Sequence, residues 1–231
     1  MTIFAQFQFF TLLDLLAVVY LVLAWGVLGH VIENPPASRV STSLLVAQYR
    51  RDWMVHMISR KPRIFDATVL ATLREGTSFL ASACLIAIGG GLAAMSNAER
   101  LRGVAADLSI QAPEIIWEVK ILLPLFFVTN GFLKFIWSNR VFGYCGVVMA
   151  SVSNDEDDPQ ALPRAQKAGE LNITAAKAFN SGLRCIYFGL GALTWLLGPV
   201  GLLLGTTVAI YIMLRREFFS QTRSILMRED L

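Results

Sequence analysis

The chain has 231 residues, 55% hydrophobic and 16% charged, with a mean hydropathy of +0.56 and a formal net charge of +3. Soluble domains carry about 25% charged residues, so this composition excludes an ordinary water-soluble globular protein, and the small net charge gives no support to nucleic-acid binding. The apolar residues fall in blocks close to the ~20 that a helix needs to cross a hydrocarbon core, whereas the alternating segments of a transmembrane barrel are missing. The expected fold is all-α: one polytopic transmembrane helix bundle over residues 1–231, with the lipid bilayer as its surroundings.

The first block runs from Phe9 to Ile32 with Asp14 as its one charge. It has no basic leader and is longer than the roughly 7–15 apolar residues of a signal sequence, so it reads as a retained span. Residues 33–75 follow as a cytoplasmic segment opened by Asn34-Pro35-Pro36. Within it, residues 44–59 set Val46, Tyr49, Trp53, Val55, Met57 and Ile58 among polar residues at helical intervals, an amphipathic pattern suited to the membrane interface or to covering the inner ends of the spans. After Lys61-Pro62, residues 63–73 read as an inward extension of the second span.

That second span, residues 76–95, carries Ser78, Ser82, Ala83, Ala87 and Gly91. Small residues at such spacings allow close backbone approach in lipid and predict a packed central helix. The third, residues 115–140, carries Glu118, Lys120, Asn130 and Lys134; the short apolar run 141–152 follows, and residues 138–152 join residues 44–73 in a small cytoplasmic helical layer. Residues 153–172, with Asp155, Glu156, Asp157 and Asp158, read as an acidic cytoplasmic loop, since consecutive acids lack the alternate spacing of a calcium loop. The region 175–214 is too long for one ordinary span, and Gly198-Pro199 near its middle is a stop-and-start signal, giving five spans in all, with four as the alternative.

Charge favours five. With the amino terminus outside and the carboxy terminus cytoplasmic, fifteen basic residues fall on the inner side and only Arg100 and Arg102 on the outer. This is the asymmetry of a bacterial inner-membrane protein. A charge at mid-membrane costs on the order of 2.5–3.5 kcal/mol even on the lenient insertion scale, so the stripe of Lys120, Asn130 and Lys134 is expected to face protein or water. Two polar layers result: an outer one of Asp14, Glu118 and Lys120, and an inner one of Glu33, Glu75, Lys134, Arg140 and Arg184, with Asn180 beside Lys134 and Arg184. Asp14, Glu33, Glu75, Glu118 and Arg140 are the candidate pairing partners.

Three cysteines without paired spacing indicate neither a disulfide frame nor a zinc site, and there is no HExxH, GxSxG or phosphate-binding loop. No enzyme, metal or cofactor is expected. The first functional reading is a small oligomeric channel or carrier whose cationic inner layer serves an ion or solute. The alternative is a non-catalytic accessory or scaffold docking a partner or an anionic lipid.

RRDWM at 50–54, RIFDA at 63–67, GTSFLAS at 76–82 with the following LIAIGG, EVK at 118–120, FLKFIWSNRVFGY at 132–144, CIYFGLGALTW at 185–195 with Gly198-Pro199, and RREFFS at 215–220 together resemble the integral-membrane domain of unknown function 599 family of bacteria and plants. Phe79-Leu80 and the Phe-Gly-Tyr after Arg140 depart from that pattern. The resemblance implies a multi-span membrane protein and names no reaction or ligand.

Overall fold

The computed structural model describes residues 10–36, 39–96 and 114–228, and every regular element among them is helical. Arg100 and Arg102, the two outer basic residues of the topology argument, lie outside the described residues. The helices are α1 (Leu12–Glu33), α2 (Thr42–His56), α3 (Ile64–Ser96), α4 (Glu114–Ala150), α5 (Ala161–Leu193), α6 (Pro199–Phe218) and α7 (Gln221–Leu226), with a 3-10 turn over Thr194–Leu197. Four stretches are long and apolar enough to cross a membrane: Leu12–Glu33, Ile64–Ser96, Ile115–Ala150 and Pro199–Leu226. At 1.5 Å per residue, α3 and α4 measure about 50 and 55 Å, well beyond a ~30 Å core.

By its contacts the chain forms two compact units. The first takes α1 as far as Gly29, α3 from Ala83, α4 up to Gly131, and Leu183–Met213. Its interior is aromatic. Trp25 meets Phe127 edge-on at 5.4 Å, Phe127 stacks on Phe188 at 6.2 Å, and both phenylalanines are fully buried. The predicted break at Gly198-Pro199 is present. Gly198 adopts φ 103°, a left-handed conformation open to glycine, and Pro199 starts α6 where its missing N–H costs nothing. A Cβ on Gly191 would stand 3.1 Å from the Gly205 carbonyl oxygen, so α5 and α6 meet backbone to backbone.

The second unit comprises His30–Ser82, Phe132–Gly182 and Leu214–Leu231. Its core joins Met54, Met57 and Leu70 to Val141, Phe142, Cys145 and Met149, and to Ala161, Ala165, Ala168 and Ala175 of α5. The segments expected to form a helical layer are therefore packed on one another. The carboxy-terminal segment closes the same unit. Thr42 Oγ1 donates to the Glu217 carbonyl at 2.9 Å, Ser43 Oγ to the Glu217 carboxylate at 2.9 Å, and Arg223 Nε to the Val40 carbonyl at 2.9 Å.

Two expectations need correction. The acidic loop ends at Gln160 rather than 172, because Ala161, Ala165, Ala168, Asn172 and Ala175 repeat at three- and four-residue steps and bury one stripe of α5. Asp158 opens that helix by accepting the Gln160 N–H at 2.8 Å. Nor is α3 a packed central helix: its span window is the least buried of the four, at 11%. Thr77, Ala81 and Cys84 face inward and Gly91 packs on Leu125, while Ser82, Ala83, Ala87, Gly89 and Gly90 are exposed.

Candidate functional site

In the first unit, two opposite charges are buried near Trp195. Thr11 and Asp14 begin α1 as a reciprocal cap. Asp14 N–H donates to Thr11 Oγ1 at 3.2 Å, while Asp14 Oδ2 accepts the Thr11 N–H at 3.0 Å and its hydroxyl at 2.7 Å. The other carboxylate oxygen, Oδ1, accepts Trp195 Nε1–H at 2.7 Å. Asp14 is only 6% exposed, yet three donors and the positive end of a helix dipole satisfy it.

Lys120 is 8% exposed and is held differently. Its Nζ lies 5.6 Å from the Trp117 ring centroid and 5.9 Å from that of Trp195. The Asp14 carboxylate acts on it through space. However, the ion pairs within 4.0 Å among the described residues are Arg51–Glu170, Arg60–Asp66 and Lys61–Glu156, and none involves Lys120. Nor does any hydrogen-bond acceptor among the described residues reach the ammonium. One turn earlier on α4, Trp117 Nε1 is a buried donor that also has no partner among the described residues. Pro124, four residues after Lys120, lacks the N–H that would have bonded the Lys120 carbonyl.

The magnitudes indicate what this arrangement suits. Cation–π contacts contribute up to about 2 kcal/mol each when desolvated, whereas taking an ammonium out of water costs several kcal/mol unless its protons are bonded. Two indole faces offset part of that and leave hydrogen-bonding capacity in place. The ammonium of Lys120 and the indole N–H of Trp117 thus lie one turn apart on α4, both buried and both with donors unused among the described residues.

Of the residues expected in the inner layer, Lys134 and Asn180, both in the second unit, are engaged with neutral groups. Lys134 Nζ donates to Ser181 Oγ at 2.7 Å, and Asn180 Nδ2 donates to Ser43 Oγ at 3.3 Å. These contacts bring Lys134 to the turn of α5 that carries Asn180. Arg184, one turn further along α5, is buried, and a Cβ on Gly29 of α1 would stand 3.8 Å from its Nε. Asn130 donates back to the Phe126 carbonyl at 3.0 Å, so its amide is turned onto its own helix. Arg140 is exposed, bonded to the Tyr144 hydroxyl and set 5.7 Å from its ring centroid. Glu33 and Glu75 are exposed and Glu118 is half-buried; Glu75 and Glu118 take part in no ion pair among the described residues.

The sequence reading did not single out Asp66, whose side chain is fully buried. Its Oδ1 accepts Trp53 Nε1–H at 2.7 Å and also a bond from Arg60, tying the RRDWM and RIFDA segments together. A lone acid inside the apolar run IFDATVL was the available signal. Nearby, Arg50 donates to Asn172, which in turn donates to Cys145 Sγ at 3.7 Å, and burial pulls the Arg50 guanidinium below its ordinary pKa. Trp117 and Trp195 were also missed, since indoles inside apolar runs are ordinary packing residues until a charge is found beside them.

A family model described as a protein of unknown function, DUF599, matches residues 16–222. Comparison with curated proteins and with solved structures gives no match.

Proposed function

We propose, from the premise that this chain belongs to the DUF599 family, that it is a small membrane channel or carrier for an inorganic anion, with Lys120 at the binding point. The observation that carries this reading is the burial of the Lys120 ammonium between two indoles with no hydrogen-bond acceptor among the described residues. An intramembrane ionisable residue marks a pathway or binding site more often than a fortuitous pair. Trp117 Nε1–H supplies the second donor, and Asp14, held by Trp195 and Thr11, limits the net charge at the site so that the anion is not trapped.

The same reading has five crossings in the bacterial inner membrane, amino terminus outside and carboxy terminus cytoplasmic. The hydrogen bonds of Glu217 and Arg223 to residues 40–43 support it, because they keep the tail on the side of the basic inner segment. It also has a homo-oligomer, supported by the exposed small residues Ala83, Ala87 and Gly90 of α3, which offer a second copy close backbone approach. The accessory alternative draws on the exposed apolar side chains Ile64, Phe65 and Val147 of the second unit.

Purified protein reconstituted into vesicles is assayed for chloride, nitrate and sulfate flux. The expected result is flux that falls at least about tenfold in Lys120→Gln, in line with removal of a buried charged donor, and less in Lys134→Gln. Equal flux in wild type and Lys120→Gln at matched expression sinks the reading. Absence of flux from both, with a stoichiometric partner co-purifying, favours the accessory role.

A further inference from the structure

A cleft of about 370 Å³ opens in the second unit between the amino-terminal third of α3 and the end of α4. Pockets of roughly 300–1,000 Å³ are the usual range for small ligands. Its walls divide by chemistry. Met57, Leu70, Met149 and Val152 give an apolar side, and Arg63 and Arg74 give a cationic one.

The two arginines differ in what they have left to offer. Arg63 bonds four carbonyls: Met57 (3.2 Å) through Nε, Val152 (2.7 Å) through Nη1, and Ile58 (3.1 Å) and Ser153 (2.7 Å) through Nη2. It fixes the rim while its charge meets no carboxylate within 4.0 Å among the described residues. Arg74 donates through Nε to Asn139 Oδ1 at 3.2 Å, and neither terminal nitrogen has a partner among the described residues. A guanidinium held by one edge, with its other donors open, is pre-oriented for a phosphate oxygen.

One acid lines the cleft against two arginines: Asp66, whose Oδ1 is bonded by Arg60 and Trp53 and whose Oδ2 is buried with no partner among the described residues. Beyond Asn154, Glu156 pairs with Lys61 at 3.1 Å, while Asp155 and Asp158 accept backbone N–H groups of their own turn at 3.1 and 2.8 Å. None of these three acids lines the cleft. Positive charge is therefore in excess on the wall where Arg74 projects. Arg74 also stands two residues before Gly76, where the apolar part of α3 begins, so an acyl chain lying along that helix would bring its headgroup to this level.

We infer that this cleft binds the phosphate headgroup of one anionic phospholipid, with Arg74 holding the phosphate, Arg63 adding its field, and the Met57–Leu70–Met149 side receiving the first methylenes. Basic pockets beside membrane-spanning helices suit such headgroups. The inference does not depend on the transport reading, and no step of it passes through Lys120.

The test uses the full chain in a neutral detergent, titrated with phosphatidylglycerol, phosphatidylcholine or inorganic phosphate and followed by thermal midpoint and native mass spectrometry. Saturable stabilisation by phosphatidylglycerol alone is expected. Arg74→Gln should weaken it about tenfold, the loss of a charge-assisted contact, and Ala71→Phe, which narrows the cleft without touching charge, should weaken it as well. Arg215→Gln, an exposed arginine outside the cleft, should leave it unchanged. The inference is overturned if Arg74→Gln and Ala71→Phe both bind like wild type, if Arg215→Gln weakens binding as much as Arg74→Gln, or if inorganic phosphate stabilises as well as the lipid.

Discussion

The two units handle charge in opposite ways. In the first, two buried charges meet indoles and a helix cap: Asp14 rests on Trp195 and Thr11, and Lys120 on two ring faces. In the second, guanidiniums are bonded to carbonyls, amides and carboxylates, and all three ion pairs of the described residues lie there. The difference follows from the composition of each unit. Where the chain is nearly all apolar, a polar group must be satisfied by the few neighbours present, and aromatic edges and faces are the available ones. Where charged residues are frequent, forked donors can bond several acceptors at once. The first unit therefore depends on packing and the second on polar networks, and substitutions should separate the two.

The largest effect is expected in the first unit at Gly201. A Cβ there would collide with the Thr194 carbonyl oxygen, and the Thr194 hydroxyl already reaches the Gly191 and Gly201 carbonyls at 2.6 and 2.7 Å. The obstacle is backbone on a tight turn, which cannot move aside as a side chain can. Gly201→Ala should cost about 3 kcal/mol, the upper end for overpacking, and be read as a large drop in thermal midpoint and in folded yield. Gly89→Ala, with no atom within 4 Å of the added carbon, should change neither. If the two behave alike, packing does not govern the first unit.

How much of this could be read beforehand depends on the kind of signal. The apolar runs and the Gly198-Pro199 break were legible because each is a local property of consecutive residues. The first half of α5 was not, since its buried stripe is four alanines and Asn172, whose small apolar surface hardly registers against the surrounding polar residues. The outward glycines and alanines of α3 misled for a related reason: small residues permit close packing but do not specify which helix supplies it. At the site, Asp14 and Lys120 stood out as charges in apolar runs. Their partners Trp117 and Trp195 did not, because an indole's role in holding a charge is decided by which helices meet, and Trp195 is 75 residues further along the chain than Lys120.

In the second unit the corresponding break is at Arg63. Its fork ties the turn after α2, through the Met57 and Ile58 carbonyls, to the end of α4, through Val152 and Ser153. Lysine keeps the charge but not the planar fork. Arg63→Lys should therefore destabilise by about 2 kcal/mol, the range for losing bonds to a charged donor. Faster hydrogen exchange should be confined to residues 57–63 and 150–154. If only the charge mattered, the lysine variant would be as stable as wild type, and the polar-network account of this unit would be lost.

The smallest effect sharpens what counts as a network. Arg51 and Glu170 are joined at 2.7 Å, closer than Lys61 and Glu156, yet their side chains are 47% and 60% exposed. Solvent screens such a pair, and ordering two long side chains costs entropy, so distance is a poor guide to its contribution. A double-mutant cycle with Arg51→Ala and Glu170→Ala should give a coupling below about 0.5 kcal/mol, decreasing further in high salt because the charges are exposed. A coupling above that, insensitive to salt, would mean that this surface pair is shielded in the membrane-bound protein, and the second unit would then owe its stability to ion pairs as well as to forks on carbonyls.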